Sequence, residues 1–230
     1  MVKEGSAKVS VAVLDVESGE SATYGTEQFD TASIVKVDIL ATLLLQAQDA
    51  GRQLMAQERS YATAMIENSD NASATALWQV IGRKAGLDAA NERFGMTRTD
   101  GGDGQLWGLT QTTALDQLTL LRQVFGGGSK LSEASQAYLR ELMRAVAADQ
   151  DWGVSAAGSA FALKNGWLPR TTTGLWDVNS IGRVTACGRD YLVAVLSNGN
   201  ATKVGGILLV EAVAKAAVRF SATGKTQCRP

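Results

Sequence analysis

The chain contains no histidine among its 230 residues. This absence excludes a Ser-His-Asp triad, a Cys-His pair and any metal site built on histidine ligands. Whatever activates a nucleophile in this protein must therefore be another type of side chain. Cysteine is scarce as well, because Cys187 and Cys228 are too few for a metal cluster. The sequence leaves open whether they form one disulfide or remain two free thiols.

Neither sign of charge dominates, and no long apolar run is present. With 22 basic and 23 acidic side chains the net charge is −1, so there is no electrostatic footprint for nucleic acid or an anionic membrane. The longest apolar run, residues 37–47, is interrupted by Asp38, Thr42 and Gln46 and is too short to cross a bilayer. The first eight residues lack the apolar core of a signal peptide. A strand follows almost at once, which would fit an export segment removed ahead of Met1, and the sequence leaves this open.

What is present describes an ordinary globular protein, with 45% hydrophobic and 20% charged residues. Alternating residues over Lys8–Asp15, a turn and a second strand at residues 21–24 predict a hairpin. Three further strands are predicted at residues 160–165, 176–186 and 191–197, the last two joined by a turn at Gly188-Arg189-Asp190. Helical periodicity predicts helices at residues 33–50, 61–66, 72–81, 89–94, 113–125, 132–147 and 204–220.

Strands near both ends of the chain, with helices between them, predict an α+β fold. We expect an antiparallel, five-stranded type of sheet, assembled from both termini and flanked by helices, together with an all-helical lobe. The predicted organisation is a single domain over 1–230, with the sheet lobe at about 1–30 and 155–230 and the helical lobe at about 31–154.

The stretch from Asp30 to Leu40 is the first candidate for chemistry, because Ser33 and Lys36 open an apolar helical pattern. Residues three apart share a helix face, so the Ser33 hydroxyl and the Lys36 amine are a nucleophile and a candidate base. Unpaired N–H groups at a helix start also suit an oxyanion. The alternative is that Ser33 simply caps a buried helix.

Two more polar clusters follow, each with a structural alternative. Ser69-Asp70-Asn71 precedes a predicted helix, so it could be only an N-cap. Lys164-Asn165-Gly166 ends a predicted strand, so it could be only a turn.

Taken in order, the three clusters resemble the signatures S-x-x-K, S-D-N and K-T-G of the serine β-lactamase and penicillin-binding protein superfamily. The first two match fully, and the third matches at two of three positions. Residues 65–82 also resemble that family's helix after the second signature, and residues 149–154, 163–169 and 179–182 are similar to its actinobacterial-type members. The resemblance implies a β-lactamase or transpeptidase type of fold.

The resemblance also implies catalytic roles. Ser33 would attack a carbonyl and become acylated, and Lys36 would take its proton. Burial and the second cation of Lys164 would favour the neutral form of Lys36. Ser69 would relay a proton to the leaving group, which would explain a site without imidazole.

Substrate contacts are implied as well. Asn71 would donate its amide to an acyl-side-chain carbonyl, Asn165 would help to hold a substrate carboxylate, and the backbone N–H groups of Ser33 and Trp167 would form the oxyanion hole. Gly166 would leave room for an acyl group lying along the strand. Asp70 is interpreted as a helix cap rather than a catalyst.

Two departures from the pattern bear on substrate choice. Asn165 replaces the usual threonine or serine, which puts preference for a penicillin-like carboxylate in doubt. The glutamate that clears the acyl-enzyme in class A β-lactamases has no counterpart in residues 97–110, where Asp100 and Asp103 are the acidic residues. The short spacing from Ser33 to Ser69 further predicts a trimmed helical lobe and a more open cleft.

We therefore predict a serine hydrolase or acyltransferase that forms an acyl-Ser33 intermediate on a small amide, ester or D-amino-acid peptide, with weak or absent β-lactam turnover. The alternatives are a non-catalytic domain that binds peptidoglycan or an acyl peptide, and a true β-lactamase. The expected partner is a small-molecule or peptide acyl substrate, with no metal, cofactor, nucleic acid or membrane span. A monomer is expected, and the resemblance implies a protein that is secreted or associated with the cell envelope.

Overall fold

The structure is a computed structural model that describes residues 7–222. Within them the strands are β1 (Lys8–Asp15), β2 (Ser21–Tyr24), β3 (Phe29–Asp30), β4 (Gln111–Thr112), β5 (Ala160–Pro169), β6 (Trp176–Ala186) and β7 (Arg189–Asn200). The α-helices are α1 (Val35–Asp49), α2 (Ala56–Glu67), α3 (Asn71–Val80), α4 (Arg83–Phe94), α5 (Ala114–Phe125), α6 (Glu133–Arg144) and α7 (Lys203–Ala222). The predicted α+β class is confirmed.

Five strands form one antiparallel sheet in the order β2-β1-β7-β6-β5. The strand nearest the N-terminus therefore lies inside the sheet, with Val11 opposite both Tyr24 and Val195. The prediction that both ends of the chain meet in one sheet is confirmed. Strand β5 is the outer strand on the other side, so it has one edge not paired within this sheet.

Two strand boundaries differ from the prediction. Residues 164–166 lie well inside β5, which excludes the interpretation of Lys164-Asn165-Gly166 as a turn. The hairpin turn between β6 and β7 consists of Cys187 and Gly188, because Ala186 already pairs with Arg189. Both turn residues have positive φ, 53° and 73°, as a two-residue hairpin loop of this twist requires. Cys228 lies outside the described residues, and with it the choice between a Cys187–Cys228 disulfide and two free thiols.

Helix α1 is the buried centre of the molecule, as its apolar pattern predicts. Apolar side chains on all of its faces pack against other helices and belong to one core cluster with one face of the sheet. The other face of the sheet packs against α7, where Val210, Ala214 and Val218 are buried. Lys36 and Asp38 are charged side chains that α1 carries into this interior, both with no exposed surface.

Several helix starts and one small sheet were not predicted. Helix α2 begins at Ala56, because the Glu58 carboxylate accepts a hydrogen bond from the Met55 N–H at 2.8 Å and closes a capping interaction. Strands β3 and β4 pair Phe29 with Thr112 in a two-stranded sheet. Two-residue strands are too short to show alternation in a sequence. In the described part of the chain, no helix is long and apolar enough to cross a membrane.

Candidate active site

Ser33 lies in a short 3-10 helix, Ala32–Ile34, directly ahead of α1; we call it the Ser33 turn. The expectation placed Ser33 in the α-helix itself, so the structure moves it one turn earlier. No side-chain cap bond is made at the start of either helix, which excludes the interpretation of Ser33 as a cap. Asn179 of β6 holds the chain entering this turn, since its Nδ2 donates to the carbonyls of Asp30 at 2.9 Å and Thr31 at 3.0 Å.

Lys36 joins the first and second sequence clusters. Its Nζ donates to the Ser69 carbonyl at 2.6 Å, to Ser69 Oγ at 3.1 Å and to Asn71 Oδ1 at 2.7 Å. Burial lowers the pKa of Lys36 to about 7, although the negative charge of Asp70 acts in the opposite direction. An amine with such a pKa is substantially neutral at physiological pH, as a general base must be.

The backbone of the second cluster is strained at Ser69, whose φ is +56°. Residues other than glycine adopt this left-handed region at a cost and do so often at functional sites. Ala32, which precedes Ser33, has φ +48°. Asp70 next to Ser69 is the N-cap of α3, and its Oδ1 accepts from the Ser73 N–H at 2.7 Å. The interpretation of Asp70 as a cap is confirmed.

Lys164 extends from β5 into the same interior as Lys36. It has no exposed surface, and its Nζ donates to the Asn165 carbonyl at 3.3 Å. Burial and, to a smaller extent, the positive charge of Lys36 lower the pKa of Lys164 to about 7. The structure therefore brings the two lysines close enough to repel each other, so that ionising one disfavours ionising the other.

Asn165 has a different position from the expected substrate contact. Its side chain is buried, and its Nδ2 donates to the carbonyls of Gln150 and Trp152, both at 2.8 Å. Both amide hydrogens are thus used to hold the segment ahead of β5. None remains for a substrate carboxylate, and the sequence misses this because the acceptors are main-chain atoms of another segment.

The structure gives a different reason from the expected one for a glycine at position 166. A Cβ at this position would lie 2.7 Å from the Ser33 nitrogen and 2.8 Å from the Thr31 oxygen. The Ser33 turn packs directly on the backbone of β5 here, so the glycine makes room for main chain rather than for an acyl group. This packing brings the neighbouring Trp167 beside the nucleophile, and Ser33 and Trp167 both line one cleft.

The cleft above Ser33 has a volume of about 460 Å³. Its polar lining residues are Ser33, Asn71, Thr75 and Gln105. Its apolar lining residues include Leu106, Trp107, Leu109, Trp167 and Leu168. Among the described residues, no charged side chain lines this cleft. Asn71 keeps its Nδ2 for a ligand, since Lys36 engages its Oδ1.

Trp107 is the site residue that sequence reasoning missed. Its ring centroid lies 5.0 Å from Lys36 Nζ, and its Nε1 donates to Thr75 Oγ1 at 3.1 Å. The ring therefore covers Lys36 on the side of the loop where the sequence shows no glutamate. The one available signal was a tryptophan in a loop of small and polar residues, which sequence alone does not direct at Lys36.

The acidic residues of that loop point elsewhere. Asp100 forms an ion pair with Lys84, and Asp103 is exposed. Neither lines the cleft. Their positions therefore give no support to Asp100 or Asp103 as a substitute for the missing glutamate.

Comparison with known proteins places these observations in a family. The sequence model of the Beta-lactamase2 family, described as a beta-lactamase enzyme family, matches residues 56–220. The match includes the second and third clusters and begins after Lys36. A protein named as a lipoprotein, LppW of Mycobacterium tuberculosis, is 29% identical over 127 residues. That region is 54% of this chain and only 40% of the relative's length.

Solved structures of β-lactamases extend the likeness over nearly the whole chain. The TLA-3 extended-spectrum beta-lactamase has a TM-score of 0.84 at 16% identity, covering 96% of both chains. An ancestral class A beta-lactamase has a TM-score of 0.76 at 21% identity, covering 93% of this chain and 94% of its own. Likeness at such identity concerns the fold, and its coverage is wider than the 56–220 range of the family match.

Proposed function

The chain belongs to the beta-lactamase enzyme family, and from this premise we propose that it is a serine hydrolase or acyltransferase that forms an acyl-Ser33 intermediate. The proposed acyl donor is a small amide, ester or D-amino-acid peptide. The observation that carries the proposal is the contact of Lys36 Nζ with Ser69 Oγ at 3.1 Å, made by an amine whose pKa burial lowers to about 7.

In the proposed reaction, neutral Lys36 takes the proton of the Ser33 hydroxyl while Ser33 Oγ bonds to the carbonyl carbon. The oxygen of the tetrahedral intermediate lies between the Ser33 and Trp167 N–H groups. As the intermediate collapses, its bond to the leaving group breaks and the leaving atom receives a proton through Ser69. Lys36 restores that proton to Ser69, because its Nζ already donates to Ser69 Oγ.

Release of the acyl group needs water or another nucleophile and a base that deprotonates it. Residues 97–110 contain no glutamate, and the Trp107 ring covers Lys36 from that loop. We therefore propose slow release to water and weak or absent turnover of β-lactams. An acceptor other than water would make the protein an acyltransferase.

The proposed location is secreted or associated with the cell envelope. It is supported by the lipoprotein name of the LppW relative. That the protein acts as a monomer on a small-molecule or peptide substrate stays a prediction.

Intact-mass spectrometry after incubation with p-nitrophenyl acetate or with a reactive penicillin tests the proposed function. The wild type is expected to gain one acyl group with at least one reagent, and Ser33→Ala is expected to gain none. An adduct with neither reagent on the folded wild type would refute the enzyme proposal. If a stem peptide then bound wild type and Ser33→Ala equally well, the protein would be a binding domain.

Release is measured in the same system with a chromogenic cephalosporin. We expect at most a few turnovers per enzyme molecule before the acyl-enzyme accumulates. Rapid turnover over many cycles would instead identify a true β-lactamase and contradict the proposed slow release.

A further inference from the structure

The walls of the cleft above Ser33 are largely apolar, and part of this apolar surface is exposed to solvent. Leu106 remains 56% exposed, although it lies in the lining beside Trp107. Leu168, near the end of β5, and Trp167 lie in the same lining. An uncovered apolar surface beside a nucleophile gains free energy when an apolar group covers it.

The same cleft offers no cation to a negatively charged group. Lys36 and Lys164 have no exposed surface, and both amide hydrogens of Asn165 are donated to main-chain carbonyls. The ammonium of Lys203 lies 3.7 Å from the centroid of the Trp167 ring, but Lys203 is not in the cleft lining. A carboxylate on the acyl group would lose hydration here without gaining a cationic partner among the described residues that line the cleft.

Polar groups in the lining suit a neutral hydrogen-bonding ligand. Asn71 retains its Nδ2 hydrogens, because only its Oδ1 is engaged by Lys36. Gln105 lies in the same lining, as does Thr75, whose Oγ1 accepts from the Trp107 indole. A volume of about 460 Å³ is sufficient for an acyl chain of several carbons or an aryl ring.

We infer that the acyl group transferred to Ser33 is uncharged and apolar, an alkyl or arylalkyl chain, and that Leu106 is a specificity-determining residue for it. This inference rests on the proposed acyl-enzyme function. It narrows the donors to esters or amides of apolar acids, and it disfavours donors with an acidic acyl side chain.

Three p-nitrophenyl esters, which share the same leaving group and differ in the acyl chain, test the inference. The acyl chains are acetyl, pentanoyl and monoglutaryl. The pentanoyl and glutaryl chains have the same carbon count and differ in the terminal carboxylate. The second-order rate constant for acylation of Ser33, from nitrophenolate release and intact mass, is expected to be about tenfold higher for pentanoyl than for either other ester. Equal or faster acylation by the acetyl or glutaryl ester would overturn the inference.

Leu115 provides a matched control for Leu106, because it is also 56% exposed and lies on α5, away from the cleft lining. Leu106→Ser removes apolar surface, so it is expected to reduce the ratio of the pentanoyl to the acetyl acylation rate constant about threefold or more. Leu106→Lys adds a cation, so it is expected to raise the ratio of the glutaryl to the pentanoyl acylation rate constant severalfold. Leu115→Ser and Leu115→Lys should leave both ratios unchanged; ratios that respond equally at the two positions would also overturn the inference.

The esters separate this inference from the proposed function. If all three acylate Ser33 at similar rates, the function stands and the inference fails. If none modifies the folded wild type at Ser33, the proposed function itself fails and takes the inference with it.

Discussion

Lys36 and Lys164 are both buried cations of low pKa, but their surroundings differ. Lys36 has three hydrogen-bond acceptors at 2.6 to 3.1 Å and the negative charge of Asp70 to favour its ammonium form. Lys164 has one carbonyl at 3.3 Å, and the charge of Lys36 disfavours its ammonium form. When only one of the two lysines is protonated, these contacts favour the proton on Lys36. Lys36 can therefore act as the proposed base only after it has lost this proton.

We predict that the acylation rate rises with pH through about 7 and then levels, since neutral Lys36 is the reacting form. Asp70→Asn should move the midpoint to lower pH by several tenths of a unit or more, because it removes the charge that raises the pKa of Lys36. Asparagine still caps α3, so the thermal unfolding temperature should change little. The profile is measured with the pentanoyl ester from pH 5 to 10. An unchanged midpoint, or a midpoint near 10, would contradict the role of Lys36.

Asp38 is a buried titratable group outside the cleft. Its Oδ2 accepts from Asn91 Nδ2 at 3.1 Å, whereas its Oδ1 is buried without a hydrogen-bond partner among the described residues. The pKa of Asp38 is raised to about 7, mainly by burial; the hydrogen bond from Asn91 acts in the opposite direction, and the charges of Asp88 and Asp116 contribute to the rise. Between about pH 4 and 7 the folded state therefore binds more protons than the unfolded state. The free energy of unfolding should fall as pH rises through this window.

We predict that Asp38→Asn removes this fall. Its carbonyl oxygen can still accept from Asn91, and the titrating proton is gone. The difference in unfolding free energy, mutant minus wild type, should increase by roughly 1–3 kcal/mol between pH 4.5 and pH 8. Urea unfolding at the two pH values measures it. Asp103→Asn, at an exposed carboxylate, is the control and should show no such change; a pH-independent difference for Asp38→Asn would place the pKa of Asp38 near its ordinary value.

At the scale of elements, the site depends on the contact between the Ser33 turn and the outer strand β5. The contact is made by backbone at Gly166, so a small error in the position of either element displaces the nucleophile from Trp167. Catalytic geometry is sensitive to displacements of about 1 Å. Gly166 is thus a positioning residue, because the absence of a side chain lets the Ser33 turn pack on β5.

We predict that Gly166→Ala lowers the acylation rate by at least about tenfold and the unfolding free energy by about 1–3 kcal/mol, because the added methyl forces the Ser33 turn and β5 apart. Gly127→Ala is the control, since a Cβ there meets nothing within 4 Å. Acylation kinetics and urea unfolding measure both effects. A Gly166→Ala protein with wild-type acylation would show that this contact does not position Ser33.

Elements with a complete local pattern could be predicted, and those without one could not. Strand β6 was predicted at its observed residues because valine and isoleucine recur through the segment and a glycine-containing turn follows it. The early start of α2 depends on one side-chain cap, and β3 and β4 depend on each other across the chain. In β5, the strand continues through Asn165 and Gly166, residues of low strand propensity, because β6 pairs with them.

At the scale of the whole molecule, the two ends of the chain are interleaved. Strand β1 lies between β2 and β7, and α1 contacts helices from the middle of the sequence. Asn179 of the sheet also holds the chain that enters the Ser33 turn. A unit in which sheet and helices share so many contacts should unfold together.

We predict a single unfolding transition, as expected for one domain. Urea curves from far-UV circular dichroism, which reports mainly the helices, and from tryptophan fluorescence should have the same midpoint. Trp78 lies in the helical part, whereas Trp152, Trp167 and Trp176 lie with the sheet. In Trp78→Phe the fluorescence reports more on the sheet, and the midpoints should still coincide. Separate midpoints would indicate two lobes that unfold independently.

The sequence by itself determined the class of fold, the buried central helix and the three polar clusters, because periodicity and short motif spacings can be recognised from neighbouring residues alone. Only the tertiary structure decided which contacts those clusters make with one another and with the rest of the chain. The contact of Lys36 with Ser69 joins residues 33 apart, Asn165 turns toward carbonyls of a preceding segment, and Trp107 covers Lys36 from a distant loop. Burial and neighbouring charge, which set the pKa of a lysine, exist only once the chain has packed.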